Sequence, residues 1–335
     1  MPDRSFSISL WPSADRCPGH ATETILQALE RGGLEFPAFC RHGHCGLCRA
    51  ALLKGTLAPG AARQPAQGLL APGEILICDA RPASDLELRL FWGPGRAPQM
   101  PARVIRIDRD LTGTLGLGLR LPLVQRFGFA PGQFVCLHVE GLIRAYSLAN
   151  PPHERDLELH IRASPGGVLD HALAELRVGS LVTVEGPFGQ FFYRPQPALS
   201  DRSLLLVAGG TGYAPMKSIL RHIREGALEP KPCALELIWA AETPAHLYDH
   251  AFLEKLASSW NRFHYRPVVL HPASDGAIAA GTAPDLITSE LASGAICYLA
   301  GPSTLVAACE RRLRSLGVPA SRIYHESFGW DVPLG

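Results

Sequence analysis

The stretch FCRHGHCGLCRA, residues 39–50, places Cys40, Cys45 and Cys48 within nine residues, with His42 and His44 between the first two. A fourth thiol, Cys78, follows after a further 29 residues, and the other five cysteines (17, 136, 233, 297 and 309) are scattered through apolar runs. Nine is an odd number, which argues against a framework of paired disulfides. In a reducing compartment scattered cysteines behave as small core residues, whereas a tight group of thiols binds metal. The start MPDRSFSISL has neither the basic opening nor the apolar core of a secretory leader, and no apolar run approaches the roughly 20 residues of a membrane helix. These features lead us to expect a cytoplasmic protein that engages no membrane. The formal charge of +1 over 335 residues gives no basic footprint for nucleic acid, and that length allows two or three domains with their own cores.

The spacing Cys40-x4-Cys45-x2-Cys48 with a distant Cys78 is the plant-type pattern in which four thiolates hold a 2Fe-2S cluster. Gly43 and Gly46 supply the permissive backbone that wrapping a cluster requires. A zinc site more usually shows two CxxC or CxxH pairs, and only Cys45 and Cys48 form one here. A Rieske centre needs a second histidine after Cys45 at the right spacing, and none follows. A thiol switch leaves Cys40 and Cys78 without a role. The cluster reading therefore assigns Cys40, Cys45, Cys48 and Cys78 as iron ligands and leaves His42 and His44 on the loop surface.

Around this loop, residues 5–10 alternate as a strand, and Thr24 with Gln27 forms a capping-box pattern opening a helix over 25–31 that Gly32 and Gly33 stop. AALL (50–53) and ILIC (75–78) read as strands. On these residues and the cysteine spacing, segment 1–92 resembles a ferredoxin domain of β-grasp type. GPGRAPQMP (93–101), with two glycines and three prolines, reads as a linker. The short β-rich runs after it, RVIRI, GLGLRL, QFVCLHV, LELHIR and LVTVEG, predict a small antiparallel barrel over 102–198.

Two motifs fall on that barrel, RAYSLAN (144–150) and PGGVLDHAL (165–173). A guanidinium can clamp a pyrophosphate, an aromatic ring can lie on a flat cofactor, and a glycine-opened helix start can receive phosphate. With PGQF (131–134) before them and GPFGQFF (186–192) after, they resemble the FAD domain of the ferredoxin-NADP reductase superfamily. The resemblance implies FAD held by Arg144, Ala145, Tyr146 and Ser147, with Ser147 near the reactive ring nitrogen and Gly166 and Gly167 under the pyrophosphate. The superfamily usually carries Ser or Thr where Asp170 stands.

LLLVAGGTGYAPMKSILRHIREG (204–226) reads as a buried strand, a glycine turn and a helix with Pro215 in its first turn and Gly226 past its end. It opens alternating strands and helices that predict a parallel-sheet α/β nucleotide-binding domain over 199–335, with Gly209, Gly210, Thr211 and Gly212 at the phosphates. The next strand, LELIWAAE (235–242), ends in Glu242, an acid suited to ribose hydroxyls and repulsive to a 2′-phosphate, so NADH is expected over NADPH. Relatives often carry Arg there. AICYLAGPST (295–304) resembles the superfamily strand leading into C-G-P, with Ala300 in place of the cysteine, and Glu326-Ser327-Phe328 resembles its acidic-x-aromatic ending. The resemblance places Phe328 over the flavin and Glu326 near the reacting ring, and makes Ser147, Glu326 and Phe328 the catalytic residues.

The chain is thus expected to be multidomain, α+β and α/β: a β-grasp ferredoxin, an antiparallel flavin barrel and a nucleotide domain in that order. The resemblance is nearest to reductase components of bacterial aromatic-ring-hydroxylating dioxygenases, of the terephthalate dioxygenase type. It implies electron transfer from NADH through FAD and a 2Fe-2S cluster to a separate Rieske-type oxygenase. The same motifs serve reductases of deoxysugar biosynthesis (CDP-6-deoxy-glucoseen reductase type) and of di-iron monooxygenases. A redox-sensing regulator on a reductase scaffold is the reading of another class, with Asp170 and Ala300 as marks of decay.

Overall fold

The structure of the chain is a computed structural model. It describes all residues except 1–3, 12–14, 35–47, 60–72, 91–98, 110–111, 124–126, 163–167, 190, 195–201, 227–231, 275 and 329–335. The chain divides into two compact units, one of residues 1–98 with 188–190, the other of 99–187 with 191–335. No helix among the described residues is long and apolar enough to cross a membrane.

The first unit is a five-stranded mixed sheet in the order β2-β1-β5-β3-β4, with one helix packed on it. β1 (Ser5–Trp11) pairs antiparallel with β2 (Arg16–His20) and parallel with β5 (Leu86–Leu90), which is the β-grasp arrangement. β3 (Arg49–Lys54) joins β5 to β4 (Glu74–Leu76), both pairings antiparallel. Sequence reasoning had no signal for β2, whose RCPGH contains Pro18 and Gly19. It forms because Cys17 inserts into the core beside Ile8 and Leu29, while Pro18 sits on an edge strand where a lost donor is tolerated.

Helix α1 runs from Ile25 to Arg31 as its pattern predicts. The Gln27 backbone N–H donates to Thr24 Oγ1 at 3.2 Å and the Thr24 N–H to Gln27 Oε1 at 2.8 Å, a complete capping box. Gly33, at φ +79°, carries the chain out of the helix where a side chain would be strained.

The second unit contains two sheets. Six strands form a barrel in the order β10-β7-β6-β11-β8-β9, every pairing antiparallel. They are β6 (Gln99–Asp108), β7 (Thr114–Arg120), β8 (Phe134–Val139), β9 (Leu142–Ser147), β10 (Leu157–Arg162) and β11 (Leu181–Phe188). A bridge between Leu148 and Leu159 brings the two ends of the sheet together, so the inward leucines and valines of all six strands share one core. Strand β6 begins at Gln99, so residues 99–101 at the end of the Pro/Gly-rich stretch pair with β11. Helix α2 (Val168–Glu175) lies after β10.

The remaining strands make an all-parallel sheet ordered β14-β13-β12-β15-β16. These are β12 (Ser203–Gly209), β13 (Ala234–Ala241), β14 (Phe263–Val269), β15 (Ile296–Pro302) and β16 (Ile323–Phe328). Both faces are apolar because helices cover both: α3 (Tyr213–Glu225) and α4 (His250–Ser259) border one core, and α5 (Ala283–Leu286), α6 (Ser289–Ala292) and α7 (Ser303–Ser315) the other. The strand order reverses between β13 and β15 on either side of β12, and the crevice beyond their C-terminal ends is where such sheets bind ligands.

Thr24→Ala removes the side-chain acceptor at the start of α1 and is expected to cost about 1 kcal/mol of local stability. Amide hydrogen exchange of residues 25–31 in the full chain should accelerate about fivefold, with the rate in α3 unchanged.

Candidate cluster, flavin and nucleotide sites

Cys48 lies at the entry to β3 and Cys78 in the turn after β4, and their Sγ atoms are 3.0 Å apart, both buried and neither in a disulfide. The β3–β4 pairing of Arg49 with Leu76 makes this meeting possible. Two thiols converging in this way suit a shared iron ion, so these donors fit a cluster. Cys40, Cys45, His42 and His44 lie outside the described residues.

The thiols elsewhere divide in two. Cys136, Cys297 and Cys309 are buried, which pushes each thiol up to about 12, and Cys17 is raised for the same reason. All four are inert core residues, as expected from their scatter. Cys233 departs from that expectation: it is exposed, just before β13 begins.

The flavin motif occupies the hairpin β8–β9, whose two-residue turn Glu140-Gly141 has φ of +49° and +78°. The register Phe134↔Ser147, Val135↔Tyr146 and Leu137↔Arg144 sets Arg144 and Tyr146 on one face and Ala145 and Ser147 on the other. Arg144 and Tyr146 are half-buried; Arg144 donates to the Ile143 carbonyl at 2.8 Å and Tyr146 packs against the barrel core. Gly166 and Gly167 lie outside the described residues, immediately before α2, and the side chain of Asp170 is likewise outside them.

Ser147 and Glu326 come from separate domains of the second unit and meet. The Ser147 hydroxyl donates to Glu326 Oε2 at 3.1 Å, with each residue only 6% exposed. Ala300 is fully buried and registers between Ala208 of β12 and Glu326 of β16. Its methyl group therefore stands on the same face as the Glu326 side chain. Phe328 ends β16 opposite Pro302, and its side chain lies outside the described residues.

The glycine turn is explained by contact. A Cβ on Gly212 would lie 2.2 Å from the Ala300 carbonyl oxygen, and one on Gly209 would lie 2.9 Å from Pro302. Gly210, at φ +54°, starts a single tight turn over Gly210–Gly212 that leads into α3, with Thr211 between the two glycines. Backbone thus approaches backbone with no side chain between, leaving N–H groups at a helix start, the arrangement that receives a pyrophosphate. Glu242 is exposed just past β13, its carbonyl accepting from the His271 N–H at 2.9 Å. Among the described residues no hydrogen bond or ion pair occupies its carboxylate.

Sequence reasoning missed the support behind this turn. Trp239 is wholly buried, donates from Nε1 to the Gly210 carbonyl at 3.0 Å, and stacks on Tyr213 with ring centres 4.1 Å apart. Tyr248 meets both rings edge-on and its hydroxyl bonds His160 Nδ1 at 2.9 Å. His160 Nε2 lies 3.1 Å from Glu158, which also contacts Lys217 and Arg106. Burial opposes ionisation of Glu158, yet His160, Lys217 and Arg106 together hold its carboxyl far below the usual range. Burial lowers His160 and keeps it neutral. A histidine, a lysine and a glutamate each standing among apolar residues in LELHIR and APMKSIL were the only available signal.

Comparison with known proteins matches three successive segments to family models: a 2Fe-2S iron-sulfur cluster binding domain at 12–83, an oxidoreductase FAD-binding domain at 112–193 and an oxidoreductase NAD-binding domain at 206–311. The reductase component 1 of terephthalate 1,2-dioxygenase from Comamonas is 30% identical over 91% of this chain and 92% of its own length. The reductase subunit of an aromatic O-demethylase from Amycolatopsis is 33% identical over 97% and 98%. Among solved structures, an Amycolatopsis cytochrome P450 reductase superposes with a TM-score of 0.68 at 29% identity over 96% of this chain and 98% of that one. The ferredoxin reductase of carbazole 1,9a-dioxygenase gives 0.65 at 25% over 98% and 100%.

Fold and domains together define an NAD(P)H oxidoreductase that uses FAD and a 2Fe-2S cluster. The chain belongs to the ferredoxin reductase superfamily, in the branch with an N-terminal 2Fe-2S domain that includes the terephthalate dioxygenase reductase components.

Cys78→Ser is expected to abolish the normal 2Fe-2S absorption and EPR signal while bound flavin remains. A full cluster signal in that variant would remove Cys78 from the ligand set.

Proposed function

We propose that the chain carries electrons from NADH to the oxygenase component of an aromatic-ring-hydroxylating system of the Rieske dioxygenase class, as a cytoplasmic protein. A bound FAD would supply the conversion between a two-electron hydride donor and the one-electron cluster. The observation that carries this reading is the buried Ser147–Glu326 hydrogen bond at the C-terminal edge of the parallel sheet. It joins the end of the flavin strand β9 to the end of β16, where a nicotinamide and a flavin ring would face each other.

In this proposal Arg144 and the segment at Gly166 and Gly167 hold the pyrophosphate of FAD, Ala145, Tyr146 and Phe328 border its ring system, and Gly209 to Gly212 cradle the phosphates of the nucleotide. Ser147 and Glu326 hold a proton beside the reacting ring, since a hydroxyl donating to a shielded carboxylate keeps one poised there. Cys40, Cys45, Cys48 and Cys78 ligate the cluster. The domain limits proposed are 1–92, 102–198 and 199–335 with a linker at 93–101, although the first barrel strand already begins at Gln99.

The dioxygenase assignment draws support from the two Comamonas reductase components, at 30% and 35% identity, and from the electron transfer component of toluate 1,2-dioxygenase from Pseudomonas putida, at 29%. A second reading has its own observation. The Amycolatopsis relatives, one an aromatic O-demethylase subunit and one a cytochrome P450 reductase, cover nearly the whole chain and favour a haem oxygenase as acceptor. The reduced protein mixed with each class of oxygenase, under anaerobic conditions, distinguishes the two by which metal centre is reduced.

Anaerobic stopped-flow mixing with NADH should bleach the flavin first and the cluster second. A flavin that binds and stays oxidised would overturn the electron-transfer reading in favour of a sensor. The free carboxylate of Glu242 supports NADH as donor, because a 2′-phosphate would meet an unneutralised charge. Glu242→Arg should shift the NADPH-to-NADH ratio of kcat/KM upward by at least about tenfold, roughly 1.4 kcal/mol of differential binding. An unchanged ratio would remove Glu242 from the ribose site.

A further inference from the structure

Helix α3 leaves the glycine turn and turns one polar face toward the barrel. Lys217, Ser218 and Arg221, at positions i, i+1 and i+4, lie on that face. The Ser218 hydroxyl donates to the carbonyl of Asn150 at 2.7 Å, and both residues are fully buried. Asn150 in turn accepts from the Glu158 N–H at 2.9 Å, so it ties the end of β9 to β10 three residues beyond Ser147. Arg221 pairs with Glu154 in the same connection.

Lys217 has the most consequential position of the three. Its ammonium group lies 3.3 Å from Glu158 of the barrel and 2.8 Å from Asp249, the residue that precedes α4 in the nucleotide domain, and its side chain is only 13% exposed. One cation therefore neutralises a carboxylate from each domain, four residues after Tyr213, whose ring supports the glycine turn through Trp239. Ion pairs in a shielded setting are little screened by salt, so the lysine ties α3, and the turn at its start, to β10 of the barrel and to the start of α4. A neutral side chain there would take from Asp249 its ion-pair partner and leave Glu158 with Arg106 and His160 alone.

We propose that Lys217, bridging Glu158 of the flavin barrel and Asp249 of the nucleotide domain, is a positioning residue that sets the nucleotide turn at the correct distance from Ser147 and Glu326 for hydride transfer. The inference rests on the electron-transfer reading above. Lys217 itself contacts neither cofactor. It acts through the placement of α3, and misplacement of reacting groups by about 1 Å can cost about 100-fold in rate.

The test is stopped-flow reduction of the FAD-loaded protein over a range of NADH concentrations, comparing Lys217→Met and Lys217→Arg with the parent protein. Lys217→Met should lower the limiting rate of flavin bleaching by about 10- to 100-fold with the dissociation constant for NADH changed less than about threefold. Lys217→Arg, which can span both carboxylates, should recover the rate to within about threefold. In the full chain without added FAD, amide exchange of residues 147–162 and 213–225 should accelerate together in Lys217→Met and not in Lys217→Arg. A parent-like limiting rate in Lys217→Met overturns the proposal. So does a loss borne by the NADH dissociation constant, or a loss that Lys217→Arg fails to repair. If Lys217→Met does not fold, Asp249→Asn removes one arm of the bridge, and a parent-like rate in that variant overturns the proposal equally. Failure of NADH to reduce the parent flavin counts against the electron-transfer reading instead, and the exchange measurement then decides the bridge by itself.

Discussion

The close approach of β12 to β15 at their C-terminal ends governs the second unit. Gly209 and Gly212 on one side and Ala300 and Gly301 on the other bring backbone against backbone, so that a Cβ at Gly212 would strike the Ala300 carbonyl and one at Gly301 would stand 3.0 Å from Gly209. A side chain in this gap would push the strands apart and swing the start of α3 away from the sheet. The gap also fixes Ala300, and through its register with Ala300 it fixes Glu326, which reaches Ser147 of the barrel. Steric closeness at a few glycines thus determines where two domains meet.

A rigid turn needs something behind it. Here that support is aromatic and polar together: Trp239 bonds the Gly210 carbonyl and stacks on Tyr213, Tyr248 closes the far side, and His160 and Glu158 extend the contacts into the barrel. Such a buried network is stable only if its members are satisfied. Glu158 meets that condition through three cationic or hydrogen-bonding neighbours, which is why a shielded carboxyl stays ionised. The barrel and the nucleotide domain are therefore joined by specific polar pairs at the very elements that carry the flavin and phosphate motifs.

The ferredoxin unit obeys a simpler logic. Its small core is organised by the parallel contact of β1 with β5, and helix α1 is held by a capping box at its start and a glycine at its end. Pairing of β3 with β4 then brings Cys48 and Cys78 together across 30 residues of sequence. The sheet thereby delivers the most distant thiol of the pattern to Cys48.

Local rules were legible in the chain. The cysteine spacing, the Thr24–Gln27 cap, the Pro215 and Gly226 limits of α3 and the short β-rich runs of the barrel are all written within a few residues, because backbone geometry and capping act over that range. The order of three cofactor modules, and the choice of Ser147 and Glu326 as candidate site residues, came from the resemblance that the motifs carry. What only the tertiary structure decided is which distant groups meet: that Ser147 touches Glu326, that Trp239 holds Gly210, and that Lys217 joins Glu158 to Asp249. None of these pairs has a local signature, since each partner is an ordinary residue in its own segment. Strand β2, with its proline and glycine, was invisible for the related reason that its pairing comes from burial of Cys17 in a core built by other segments.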